Sequence, residues 1–329
     1  GPDHTPGGMF VSMRVIIIGG VAGGMSAATR LRRLDENAQI IVLERTRHVS
    51  FANCGLPYHV GGVIPERSSL LLQTPQSLAA RFRLDVRVAT EATRIDRENK
   101  VVHVRNLATG ATEELPYDKV ILSPGARPVR PPIPGIERAL TLRDIEDTDA
   151  MVAAVRGRKT AVVIGGGFIG IEVAENLVHQ GMQVALVEAL PQVMAPLDPE
   201  MAAPVHDALR KGGVDLHLGS GVTAIGEATV TLADGTELPA DVVVAAIGVR
   251  PDTTLARDRA SLFGKLIAAR SGGGIGSLIA SGLRSATLID AEKFCAQFLP
   301  DRVPDKFEAL PIPLTVVTKA NVDSVEPAF

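Results

Sequence analysis

Two continuous β-branched runs, residues 14–18 (RVIII) and 160–164 (TAVVI), each lead directly into a glycine cluster and then into a stretch with helical spacing. Unbroken rather than alternating hydrophobicity predicts strands covered on both faces, as in a parallel sheet. Helices are expected over 25–34 and 171–177. The runs at 39–43 and 183–187 supply a second strand for each unit, ending at Glu44 and Glu188. Apolar and polar positions alternate through 84–88 and 101–105, which predicts short half-covered strands. Residues 117–122 predict another buried strand, running into Ser123, Pro124, Gly125 and Ala126. The four prolines between 127 and 135 mark a connector into the second unit.

Strand, glycine turn and helix in that order are the makings of a Rossmann-like nucleotide-binding unit, so the expected fold class is α/β with two such units. Backbone N–H groups at the start of the helix face a pyrophosphate, favoured by the positive end of the helix dipole. In the first turn, Gly19, Gly20, Val21, Ala22, Gly23 and Gly24 follow the pattern G-x-G-x-x-G except that Val21 holds the second glycine position. Glu44 lies where a carboxylate accepts hydrogen bonds from an adenosine ribose. The second turn is complete: Gly165, Gly166, Gly167, Phe168, Ile169 and Gly170, with Glu188 as its acid. A carboxylate there favours a free 2′-hydroxyl over a 2′-phosphate, hence NADH over NADPH, although a neighbouring Arg can override it. Gly125 allows close approach of the backbone to a flat cofactor.

Between the two turns stands Cys54. The chain has only two cysteines, Cys54 and Cys295, with no C-x-x-C pair and no Cys/His spacing suited to zinc. That argues against a disulfide framework and against a structural metal. Taken by itself, a lone cysteine reads as a small buried hydrophobe, and it is the neighbours of Cys54 that reverse this. Residues 55–60 predict a short helix ended by Gly61 and Gly62, and a thiolate at its start gains from the helix dipole. His59 is either an acid–base group or an ordinary half-exposed histidine. Two dinucleotide units with one cysteine between them have an economical explanation: one holds a flavin, the other brings a nicotinamide to it, and the cysteine takes the electrons.

At 329 residues the chain has room for two cores. Its 34 basic and 37 acidic residues give a net charge of −3, which provides no electrostatic case for nucleic acid or an anionic membrane as partner. Small-molecule chemistry is expected instead. Residues 1–12, rich in Gly and Pro and containing Met9, read as a disordered lead. No apolar run approaches a membrane span, and two cysteines suit a reducing cytoplasm.

The runs SFANCGLPY, GGGFIGIEVAE and AAIGVRPDT, arriving in that order, resemble the single-cysteine branch of the flavoprotein disulfide reductases, and within it the coenzyme A-disulfide reductases. The resemblance covers about residues 13–255. It implies an FAD-binding domain over 13–147, with an NAD(P)H-binding domain over 148–256 inserted in it. It implies FAD contacts from the first glycine turn, Asn53, Ser123 and Gly125, and makes Cys54 the redox nucleophile that forms a mixed disulfide with coenzyme A. Glu172 matches an acid near the flavin N5, Phe168 an aromatic covering the nicotinamide site, and Gly248 the turn back towards the flavin domain. Their plainer alternatives are a helix-surface acid, a core aromatic and a simple turn. Related NADH oxidases and peroxidases carry a histidine in the first glycine turn and usually Ser before the cysteine. Ala22 and Asn53 stand there instead, which favours disulfide, persulfide or polysulfide substrates over oxygen or peroxide. After 256 the expected second FAD contact and dimerisation domain are not legible, and Asp290 is not assigned as a flavin ligand. The tail 257–329 weakly resembles part of a patatin-like lipid hydrolase but lacks G-x-S-x-G, so no esterase activity is expected. The homodimer typical of the family has no legible dimerisation domain here, and a nucleotide-binding remnant with little activity and an NADH oxidase stay open as alternatives.

Overall fold

The structure, a computed structural model, describes residues 12–257. The expected lead and tail, with Asp290 and Cys295, lie outside the described residues apart from their inner ends.

The first unit begins β1 (Arg14–Ile18), α1 (Ala22–Leu34), β2 (Gln39–Leu43), α2 (Leu56–Val60), α3 (Pro75–Phe82) and β3 (Asp85–Arg87). It continues with β4 (Thr90–Asp96), β5 (Val101–Asn106), β6 (Thr112–Pro116), β7 (Lys119–Leu122) and β8 (Ala126–Pro128). Its main sheet runs β3-β2-β1-β7, all parallel. Successive residues of β1 serve opposite layers, which is why the run is apolar throughout. Val15 and Ile17 pack with Met25 and Ala28 of α1. Ile16 and Ile18 pack with Val102, Val104 and Leu115 of the antiparallel sheet β4-β5-β6. Each such side chain contributes about 1.5–3 kcal/mol by leaving water.

The second unit opens with α4 (Ile145–Val155), β9 (Thr160–Ile164), α5 (Phe168–His179), β10 (Gln183–Glu188) and α6 (Pro199–Lys211). Then come β11 (Val214–Leu218), β12 (Val222–Ile225), β13 (Thr229–Leu232), β14 (Glu237–Pro239) and β15 (Val242–Ala245). Its parallel sheet runs β11-β10-β9-β15 between a helical layer and the three-stranded sheet β12-β13-β14. The chain leaves the first unit through β8 and returns through β16 (Val249–Pro251), which pairs antiparallel with β8. After β16 comes α7 (Thr254–Arg257), whose Leu255 packs against the layer between the first sheet and β4-β5-β6. The second unit is thus inserted in the first.

Some boundaries differ from expectation. The first helix starts at Ala22 rather than Met25, because its opening turn is seated on the strand end: a side chain on Gly24 would come 1.7 Å from the Gly19 carbonyl oxygen. The helix expected at 171–177 runs from Phe168 to His179. The strand expected from 117 begins at Lys119, since Tyr117 and Asp118 spend their backbone donors on Lys100 and Arg14 carbonyls.

Candidate functional site

In each parallel sheet the strand order reverses next to the first strand, between β1 and β7 and between β9 and β15. A crevice at the carboxyl end of the strands is where open α/β sheets bind ligands. The two crevices are built alike. Gly19 has φ +107°, and a Cβ on it would lie 1.9 Å from the Ser123 carbonyl oxygen; Gly165 has φ +108°, and its Cβ would lie 2.4 Å from that of Ala246. Only glycine lets the turn close this tightly against the neighbouring strand.

The acids at the strand ends also brace the turns. Glu44 Oε2 accepts from Gly20 N at 2.8 Å, while Oε1 accepts from the amide and hydroxyl of Thr46 at 2.8 and 2.9 Å. Glu188 Oε2 accepts from Gly166 N at 2.7 Å and Oε1 from Leu190 N at 2.9 Å. Charge-assisted bonds of this kind fix the loop before any ligand arrives. Sequence marked these acids as candidates for a ribose; the bracing of the turns shows only in the fold.

The central positions of the turns diverge. A side chain on Gly167 would meet no atom within 4 Å, so that backbone stays open to an incoming group. Val21, its counterpart, packs against the cluster of Phe51, Leu56, Leu70 and Ile145 beneath the Cys54 segment.

The donor sets fit a phosphate at both turns. Neither α1 nor α5 receives a side-chain cap, and neither has an acid in its first turn. By contrast, Thr74 caps α3 and Asp144 caps α4. Uncapped first-turn N–H groups at a glycine turn are suited to an anion. Gly125, with φ +73°, lies beside the first crevice, and a Cβ on it would be 3.9 Å from Arg143 Nη2. Arg143 carries no local motif that would single it out along the chain.

Phe168 is 67% exposed and Ile169 41% exposed at the mouth of the second crevice, which removes the plain reading of Phe168 as a core aromatic. Glu172, one turn along α5, is half-buried. Burial, and then the charge of Glu175, raise its carboxyl above the usual range. Gly248, with φ +112°, links β15 to β16, and its carbonyl accepts from Val129 N at 2.9 Å.

Cys54 is exposed on the single 3-10 turn Asn53–Gly55 that feeds α2, so it is not a buried hydrophobe. Asn53 is exposed beside it, as is Ala22 in the first glycine turn. Backbone bonds from Ala52 N to the Leu70 oxygen (2.8 Å) and from Leu72 N to the Ser50 oxygen (3.1 Å) close the segment into a loop. His59 Nδ1 lies 2.7 Å from the Ile64 oxygen and steadies the next turn. Helix α2 then docks on the second unit: Val60 joins its core, and Gly61 sits against Asn176 of α5. The helix that carries Phe168, Ile169 and Glu172 is thus the one on which the Cys54 segment rests.

The family model described as pyridine nucleotide-disulphide oxidoreductase matches residues 13–268, which include both glycine crevices and the exposed thiol. The chain belongs to that family. It is 34% identical to a coenzyme A disulfide reductase of Staphylococcus epidermidis over 242 residues, covering 73% of this chain and 55% of that protein. An NADH oxidase of Enterococcus faecalis is 33% identical over 261 residues, 76% of this chain and 58% of that one. Among solved structures, reduced CoADR-RHD of Bacillus anthracis superposes with a TM-score of 0.74 at 47% identity, covering 75% of this chain and 46% of that one. The chain spans about half the length of the curated relatives it matches. Among the described residues no cluster of His, Cys, Asp and Glu could hold a metal ion, and no helix is long and apolar enough to cross a membrane.

Proposed function

We propose that this chain is an FAD-dependent NAD(P)H oxidoreductase that reduces coenzyme A disulfide, or a related small disulfide or persulfide, through Cys54. The observation that carries the proposal is the exposed Cys54 thiol on a segment seated against α5, the helix that opens the second crevice.

In the first crevice the N–H groups of residues 22–24 would hold a pyrophosphate, with Gly20 fixed by Glu44, Ser123 and Gly125 forming the opposite wall, and Arg143 adding positive charge. In the second, the start of α5 and the open backbone of Gly167 would take the nicotinamide dinucleotide, and Phe168 would cover its ring. The brace at Glu188 leaves a carboxylate where a 2′-phosphate would sit, which favours NADH. A bound flavin supplies a two-electron relay between nicotinamide and sulfur.

The thiolate of Cys54 attacks one sulfur of the substrate, the S–S bond breaks, and the other sulfur leaves as a thiol after taking a proton. Two electrons from NAD(P)H then cleave the mixed disulfide, releasing the second thiol and returning Cys54. On this reading Glu172, whose carboxyl is raised by burial and then by the charge of Glu175, is the acid near the flavin. Because Ala22 offers no acid–base group, thiol–disulfide exchange is favoured over reduction of oxygen.

Anaerobic titration of the purified full chain with NADH, followed by addition of coenzyme A disulfide, tests the proposal. The expected result is flavin bleaching, then release of thiol that disappears in Cys54→Ser. A colourless protein that binds NADH, or a Cys54→Ser variant with the parental rate, overturns it.

A further inference from the structure

Besides its seat on α5, the Cys54 segment is held by α4. Phe51, Leu56 and Leu70 close around Ile145, the first residue of α4, which is wholly buried. Two acids flank this apolar pin. Glu146 Oε1 accepts from Arg47 N at 3.0 Å, upstream of Cys54. Asp149 receives Arg67 downstream in a two-pronged contact, Nε at 2.6 Å and Nη2 at 2.7 Å. Arg67 Nη2 also lies 3.2 Å from His48 Nε2, so one guanidinium bridges α4 and both limbs of the loop.

We propose that Arg67 and Asp149 are positioning residues for Cys54, clamping both limbs of its segment to α4 and so fixing where the thiol stands relative to the two crevices. The inference rests on Cys54 as the reacting thiol. The side chains of the pair are 40% and 45% exposed, so the contact adds little to global stability. Its effect is geometric: a bidentate fork holds direction as well as distance. Arg67 also holds the Asp149 carboxyl below its usual range, consistent with an ion pair at neutral pH. The loop is also held by backbone bonds at Ser50, Ala52 and Leu72, by the Ile145 pin and by α2 on α5, so releasing the fork loosens its limbs locally without unfolding the sheets.

The test uses the full chain with Cys295→Ser, leaving one thiol. It measures iodoacetamide labelling of Cys54, amide exchange at Ala52 and Leu72, and turnover of coenzyme A disulfide. Arg67→Ala and Asp149→Ala are each expected to speed labelling and exchange severalfold and to lower kcat roughly tenfold. Exchange at Ile16 and Val163 stays parental. The reversed double variant, Arg67→Asp with Asp149→Arg, recovers most of the loss. Arg67→Lys, which keeps charge without the fork, falls between and carries the test if the alanine variants fold poorly. Parental labelling and exchange in the single variants, or a reversed pair no better than either, overturns the clamp. If the parent turns over no disulfide while labelling and exchange change as expected, the proposed reaction fails and the clamp stands.

Discussion

A Cβ placed on Gly61 would lie 2.0 Å from Asn176 Oδ1, so the segment that follows Cys54 meets α5 of the second unit with no room for a side chain. Asn176 is 2% exposed, and its amide nitrogen donates to the Glu172 carbonyl oxygen at 2.8 Å. The turn carrying the half-buried acid and the helix following the thiol therefore share one contact. Gly61→Ala is expected to cost about 1–3 kcal/mol through overpacking. Urea denaturation of Gly61→Ala, Asn176→Ala and the double variant gives the check: the double loss should fall short of the sum of the singles.

Val21 tests what the imperfect glycine pattern means. Its side chain packs beneath the Cys54 segment, so restoring the pattern with Val21→Gly removes a contact and frees the unfolded backbone. The expected outcome is a loss of about 1–2 kcal/mol in urea denaturation, with no gain in flavin retention on a desalting column. Tighter flavin binding at parental stability would assign the position to the cofactor instead.

Glu188 braces the glycine turn and, on the proposed reading, also selects the nucleotide; substitution can separate the two. Glu188→Gln retains an acceptor for Gly166 N while removing the charge, so the preference for NADH over NADPH should fall by about tenfold, or ~1.4 kcal/mol. Glu188→Ala loses the brace as well and should weaken binding of both nucleotides. Steady-state KM values for NADH and NADPH decide between these outcomes.

Arg127 and Asp252 join β8 to the residues after β16 by a two-pronged ion pair, at 2.7 and 2.9 Å. Burial alone would raise the Asp252 carboxyl, but hydrogen bonds from Arg127 and Thr254 outweigh it and hold the group below its ordinary value. A depressed folded-state carboxyl stabilises above its unfolded pKa, and that contribution disappears as pH falls through the folded value. With the Arg127 side chain half exposed, Asp252→Asn should cost at most about 1 kcal/mol at pH 7. Melting temperatures of parent and variant should converge in acid.

Glu172 has the opposite sign. Its raised carboxyl contributes stability below the unfolded pKa and loses it as pH rises through the folded value. Since Glu175 is the second cause, Glu175→Gln should move the Glu172 titration downward in a carboxyl carbon NMR experiment. An unchanged midpoint would leave burial as the whole cause.

Both nucleotide units were legible along the chain because their signals are local. A β-branched run, a glycine turn and a helix lie within a few tens of residues, and steric limits on the backbone write themselves into glycines at 19, 24, 165 and 170. Cys54 stood out because cysteine is scarce and its neighbours form a recognisable run. Contacts between distant segments left no such trace. The exposure of Cys54 and Phe168, the bracing of Gly20 and Gly166 by Glu44 and Glu188, and the anchoring of the Cys54 loop by Ile145 and Asp149 depend on which faces meet once the sheets have closed. Sequence by itself determined where the backbone turns and which side chains could do chemistry; only tertiary packing decided which of them share a site. Packing joins residues by burial and complementary shape, and neither has a fixed spacing along the chain.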